Sequence, residues 1–215
     1  MLDENVIAEL VRRRVVSDTF RRLPPDKKLQ VNNAATRLFG EYGYDGLSVD
    51  RICHEASISK GSFFQYFESK SRLLEFTILI FDDYLAKWVA ELRQNEHAAL
   101  ARERLRYLYD SLVVNAKLHP TEQMFFLFVT HGLDHAGVTL QGVDLERHFR
   151  EYVREIVTRG VHTGEIRGDF DVDLTEYLVS MLLEALLRRQ FSGRHMPLKR
   201  TEEYLISFLF DGIKA

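Results

Sequence analysis

Residues 57–70 read SISKGSFFQYFESK, and the fold turns on how that stretch is understood. Small and polar residues give way abruptly to four aromatic rings, Phe63, Phe64, Tyr66 and Phe67. A helix this short offers one narrow face to a core, and four rings cannot all fit on it. Phe63 and Phe67 lie four apart, so they share a face and predict the packed side. Gly61 and Gln65 are also four apart, on a different face, and predict an outward side. Ser59 precedes the helix as an N-cap, its hydroxyl placed to accept from a free backbone N–H.

The flanks extend this reading. Upstream, Ser48 predicts a second N-cap, with Asp50 favourably near the positive end of the helix. Val49, Ile52 and Cys53 point inward, and ASIS breaks the helix. Before it, apolar periodicity predicts a helix from about Asp26 to Tyr42, with Val31, Ala34, Ala35, Leu38 and Phe39 inward. Gly43 is expected to end it in a left-handed C-cap. Downstream, Ser69 caps a long helix through Leu73, Phe76, Ile80, Tyr84 and Trp88. Two short helices joined by a tight turn, with a preceding helix to pack on, form a helix-turn-helix. In that motif the second helix enters the major groove and its N-terminal residues meet base edges. Gly61 then lets the backbone approach DNA closely, and Gln65 carries the donor and acceptor that read adenine. Lys60 and Ser62 reach bases or phosphates from the first turn. The Tyr66 hydroxyl is able to donate to a phosphate, and Lys70 adds a cation where a helix N-terminus already attracts anions.

From about residue 26 to 80 the sequence resembles the tetracycline-repressor (TetR) family of bacterial transcriptional regulators. The matching text is AATRLFGEYGYDGLSVDRICHEASISKGSFFQYFESKSRLL. The resemblance implies a recognition helix that reads an inverted-repeat operator as a homodimer, with Ser48 and Lys70 holding phosphates. Carried over by position, Lys60, Gly61, Ser62, Gln65 and Tyr66 are contact residues. Repression, rather than activation, is what the family implies. Two positions depart from the pattern. Ser57 stands where the family usually has a turn glycine, so a left-handed backbone there costs about 1 kcal/mol or slightly more. Phe64 stands where the family usually has a phosphate-contacting tyrosine. It is read as apolar contact with the DNA wall, or as packing.

Ahead of Pro24 and Pro25, Leu2, Val6 and Leu10, with Ile7, Val11 and Val15, trace a helical stripe. The same segment concentrates Arg12, Arg13, Arg14, Arg21 and Arg22. One reading makes these a solvated helix face. The other has Arg21 and Arg22 reach a minor groove or flanking phosphates as an N-terminal arm. The organisation expected is a helical arm over residues 1–24, a DNA-binding domain over 25–70, and an effector-binding and dimerisation domain over 71–215. Within the second, Lys27, Lys28, Arg37, Arg51, Lys60 and Lys70 are balanced by Asp26, Glu41, Asp45, Asp50, Glu55 and Glu68.

The remaining helices are expected over about 98–117, from Pro120 onward, over 143–162 with a stop at Gly164, from Asp171 or Asp173 to Phe191, and from a Thr201 cap onward. The fold class is therefore all-α: a three-helix DNA-binding domain followed by a larger helical bundle. The resemblance assigns a small-molecule effector to that bundle and dimerisation to the helices Leu174–Phe191 and Thr201–Phe210. Tyr84, Trp88, Tyr107, Phe125, Phe128 and His131 are candidate pocket residues, apolar with a sparse polar group. No arginine cluster points to an anionic ligand, so a small, largely apolar effector is expected. His131 and His135 have a spacing able to ligate metal, with Asp134 and His119 nearby, but they are read as pocket or surface residues and no cofactor is expected.

Other classes fit less well. GEIRGD (residues 164–169) lacks the lysine and preceding strand of a phosphate loop, so an all-α enzyme is the weaker reading. A DNA-binding protein without an effector is the alternative within the same fold. The single cysteine, Cys53, rules out an intramolecular disulfide. The N-terminus has no signal-peptide pattern, and no apolar run approaches the roughly 18–20 residues of a membrane span, so a cytoplasmic location is expected. The net charge of −3 means that any DNA contact arises from a local patch.

Overall fold

Side-chain caps and prolines set the helix starts in the computed structural model, which describes residues 2–95, 100–133, 144–191 and 198–213. Asp3 accepts from the Asn5 N–H at 2.9 Å and opens α1 (Glu4–Arg12). Ser17 accepts from the Phe20 N–H and opens a single turn, α2 (Asp18–Arg21). Pro25 opens α3 (Pro25–Tyr42), where its missing N–H costs nothing. Ser48 and Ser59 cap α4 (Val49–Glu55) and α5 (Lys60–Tyr66), as their positions predict. There follow α6 (Lys70–Asn95), α7 (Ala101–Leu118) and α8 (Pro120–Leu127), which runs on into a π-helical turn, Phe128–Gly132. The last three are α9 (Arg147–Thr163), α10 (Val172–Phe191) and α11 (Leu198–Ile213). No strand occurs among the described residues.

Two local expectations are corrected. Gly43 does not adopt the left-handed helical cap: with φ 67° and ψ −172° it occupies an extended region that only glycine enters readily. The left-handed glycine cap is instead at Gly164, with φ 78° and ψ 11°. Thr201 is not an N-cap either, because α11 begins at Leu198 and Thr201 is buried within it.

The chain packs into two compact units, Met1–Leu85 with His119–Leu145, and Ala86–Leu118 with Glu146–Ala215. The first unit includes α8 because α8 packs on α3. In the first unit, α3 and α8 meet at Gly40, where a Cβ would lie 2.9 Å from the Phe125 backbone nitrogen. The two helix backbones can approach this closely only because Gly40 has no side chain. Beside that seam, Phe128 stacks on Phe39 with centroids 6.3 Å apart.

The N-terminal segment belongs to the first unit's core. Ile7, Leu10, Val15, Val16 and Phe20 are all buried. Phe20 sits among Phe76, Phe67 and Tyr66, at centroid distances of 5.0, 5.1 and 5.8 Å. In the second unit, α7, α9, α10 and α11 share a core of Leu105, Leu108, Tyr109, Tyr152, Ile156, Leu183 and Leu209. No described helix is long and apolar enough to cross a membrane.

Candidate nucleic-acid interface

The turn between α4 and α5 is tight. Ala56 ends α4, the Ser57 N–H donates to the His54 carbonyl at 3.2 Å, and the Ile58 N–H reaches the Cys53 carbonyl at 3.0 Å. Ser57 carries φ 49°, the left-handed backbone that glycine would adopt without strain. Ser59 then accepts from the Ser62 N–H at 2.9 Å, and the two hydroxyls hydrogen bond at 2.8 Å. The Ser62 hydroxyl is therefore partly engaged by the cap.

The four rings of α5 and its C-cap divide by burial. Phe63 and Phe67 are buried and hold the helix to its neighbours. Phe64 is 52% exposed, its ring edge-to-face with Phe63 at 5.2 Å. Gly61 and Gln65 are exposed on the outward side. Tyr66 is half-buried against Phe20, so its ring serves the N-terminal packing. Lys60 is exposed and paired with Asp50 at 2.9 Å, a contact that water screens heavily. Ser48 accepts from the Arg51 N–H at 3.2 Å, which leaves its own O–H to donate.

Lys70 is anchored from within. Its ammonium turns inward, donating to the Tyr44 and Leu47 carbonyls at 2.7 and 2.8 Å, and lies 4.0 Å from the Tyr44 ring centroid. Two of three donors are thus spent on the backbone of the loop before α4. Lys28 is also withdrawn: only 3% exposed, it pairs with Glu4 of α1 at 2.6 Å. Arg37 pairs with Glu41 and Glu55. The Glu55 hydrogen bond raises its already high pKa. Arg51 lies over the Tyr42 ring.

The N-terminal arm is a folded element. Ser17 donates its N–H to the Tyr66 carbonyl at 3.0 Å and its hydroxyl to the Gln65 carbonyl at 2.6 Å. These carbonyls end α5 and have no partner within that helix. Arg21 and Arg22 project from α2 and share Asp18, at 3.6 and 3.1 Å. The sequence reading missed Ser17 and Phe20. The Ser-Asp pair at 17–18 was the available signal, an N-cap with an acid in the first turn.

The candidate effector residues fall in both compact units. In the first, Phe125 is buried, edge-to-face with Phe81 at 5.3 Å, and Tyr84 stacks on Phe81 at 5.8 Å. His131 is exposed in the π-helical turn. In the second, Trp88 packs on Phe149 at 5.5 Å and Tyr107 is partly buried against the core. His135 and Asp134 lie outside the described residues. Among the described residues no cluster of side chains could hold a metal ion.

Residues 33–76 match the family model of bacterial regulatory proteins, tetR family. The chain is similar to an HTH-type transcriptional regulator, YhgD of Bacillus subtilis, at 22% identity over 81% of this chain and 89% of that one. It is similar to the HTH-type transcriptional repressor AcnR of Corynebacterium glutamicum at 24% identity, over 79% of this chain and 85% of that one. Its fold is shared by the transcriptional regulator FadR from Bacillus subtilis, solved in complex with stearoyl-CoA. That likeness has a TM-score of 0.64 at 19% identity and covers 86% of this chain and 99% of that one. Relatives of this kind are regulators rather than enzymes. The capped α4–turn–α5 geometry and the matching text at residues 33–76 lead to one conclusion: this segment is a helix-turn-helix of the tetR family of bacterial regulatory proteins.

Proposed function

We propose that the chain is a ligand-responsive repressor that binds an inverted-repeat operator as a homodimer and releases it on binding a small, largely apolar effector. The observation that carries this is the division of α5, with Phe63 buried beneath an outward face of Gly61, Phe64 and Gln65. A helix braced on one side and bare on the other is built to lie in a groove. Lys60, Ser62 and Tyr66 flank that face, and the Ser48 hydroxyl is placed for a phosphate. On this reading residues 25–70 bind DNA and 71–215 bind effector and partner subunit, while residues 1–24 act with the former.

An apolar stripe supports the homodimer. Leu174, Tyr177, Leu178 and Met181 of α10, with Tyr204 and Phe208 of α11, are all exposed. Their helical spacing gives each helix an unpartnered apolar face, of the kind that marks an interaction surface. An inverted-repeat operator offers two half-sites about 34–36 Å apart, one for the recognition helix of each subunit. The apolar character of the effector is supported by the aromatic side chains of Tyr84, Phe125 and Phe128, and by the acyl chain, though not the charged coenzyme A part, of the stearoyl-CoA held by the FadR neighbour.

The test is a gel shift with the chain's own upstream region, with and without a metabolite panel that includes long-chain acyl-CoAs. Retarded DNA released by one panel member is the expected result. Binding that nothing releases would favour a regulator without an effector, and no binding at any salt would overturn the DNA-binding reading.

A further inference from the structure

We propose that Arg14 is a contact to the DNA backbone, extending the face of α5 across a groove made with the N-terminal helices. The proposal rests on the DNA-binding reading above. Arg14 follows α1 and has φ 57°, a left-handed backbone that an arginine enters at a cost of about 1–2 kcal/mol. This reversal lets Val15 and Val16 pass into the core and brings Ser17 to the end of α5. The result is a groove of about 250 Å³. Arg14, Ser17 and Asp18 line one part of it, and Phe64, Gln65 and Glu68 of α5 and its exit line another.

Charge pairing distinguishes Arg14 from the other arginines of the N-terminal helices. Arg12 is paired with Glu9, Arg13 with Glu75, and Arg21 and Arg22 with Asp18. Lys28, Arg37 and Lys60 each have a carboxylate, and Lys70 has two carbonyls. Among the described residues the Arg14 guanidinium has no such partner, and the residue is exposed. A strained backbone thus carries an uncommitted cation beside two exposed residues of the reading helix, Phe64 and Gln65. Phe64 has no polar atom to offer an anion, so the cation for a phosphate alongside it comes from the N-terminal wall. Glu68, on the same groove, opposes that phosphate and sets the direction of a second test.

The experiment measures binding of full-length protein to two labelled duplexes, its own upstream region and a random sequence of equal length, across a salt series. Arg14→Asn removes the charge but tolerates the left-handed backbone. It is expected to lower the slope of log K against log salt by about 0.9 per subunit on both duplexes, with an unchanged thermal midpoint. Arg14→Lys is expected to restore the slope, and Glu68→Gln to tighten both duplexes. A wild-type slope in Arg14→Asn overturns the proposal and leaves the DNA-binding reading standing. Equal losses in the Asn and Lys variants also overturn it, since they mark a structural role. Wild-type protein that binds neither duplex overturns the DNA-binding reading, and this contact with it.

Discussion

Replacing Phe20 by alanine tests whether the N-terminal helices are part of the DNA-binding body. Phe20 is fully buried, with three aromatic neighbours at 5.0–5.8 Å. Removing a buried phenylalanine costs about 3–5 kcal/mol through lost transfer energy and the cavity left behind. The three ring pairs contribute on the order of 0.5–1.5 kcal/mol each beyond area, without adding fully. Two rings of the cluster, Tyr66 and Phe67, sit at the end of α5, so the damage reaches the reading helix directly. Against a typical total of about 5–15 kcal/mol, such a loss is a large fraction of stability. With a urea slope of about 1–3 kcal/mol/M, the unfolding midpoint should fall by at least about 1 M. Operator affinity should fall too, because a loosened α5 must be ordered on binding. Urea titration followed by fluorescence, and a gel shift well below the midpoint, read the two effects. A variant with wild-type midpoint and affinity would refute the reasoning, and would make residues 1–24 an independent arm.

Further outcomes follow from the same geometry. Lys70→Met strands two carbonyls and should cost about 1–3 kcal/mol of stability while leaving the salt slope of DNA binding unchanged; a slope reduced by about 0.9 at wild-type stability would restore the phosphate role. Cys53 is buried, and desolvation pushes its thiol up, with Asp50 adding and Lys60 partly offsetting. A thiol reagent should therefore react with it only after unfolding, and prompt labelling of native protein would contradict its packing. The raised value means the fold favours the neutral thiol. Its contribution is complete below the ordinary thiol range near about 8.5 and is lost as pH rises through the folded value. Phe208→Asp, on a side chain 69% exposed in α11, should weaken dimerisation by at least about 2 kcal/mol, roughly thirtyfold in dissociation constant; sedimentation showing an unchanged oligomeric state would remove α11 from the interface.

The helix-turn-helix was legible because its signals are local. Ser48 and Ser59 cap within three residues, Phe63 and Phe67 share a face by spacing, and the left-handed Ser57 stands where the resemblance implies a turn glycine. The inward bonds of Lys70 were not legible because their acceptors, the carbonyls of Tyr44 and Leu47, lie more than 20 positions upstream, and carbonyls have no sequence signature. The N-terminal segment was read as a single stripe because periodicity does not register a one-residue reversal. The arginine at position 14 breaks that stripe through its backbone, not its polarity. The Thr201 cap failed for a related reason. A threonine is equally at home buried inside a helix, and the apolar run after it resembles a start whether or not the helix begins earlier.

The seam at Gly40 bears on how the protein is dissected. A fragment ending at residue 70 would carry the whole helix-turn-helix yet leave the α3 backbone at Gly40 bare and the Phe39 ring without Phe128 stacked on it. It would also remove Phe76 from the Phe20 cluster. The smallest piece that keeps its own interior is discontinuous in sequence, joining the first 85 residues to a segment some 35 positions later. Substitutions in α8, far from any base pair along the chain, are therefore substitutions in the foundation of the reading helix.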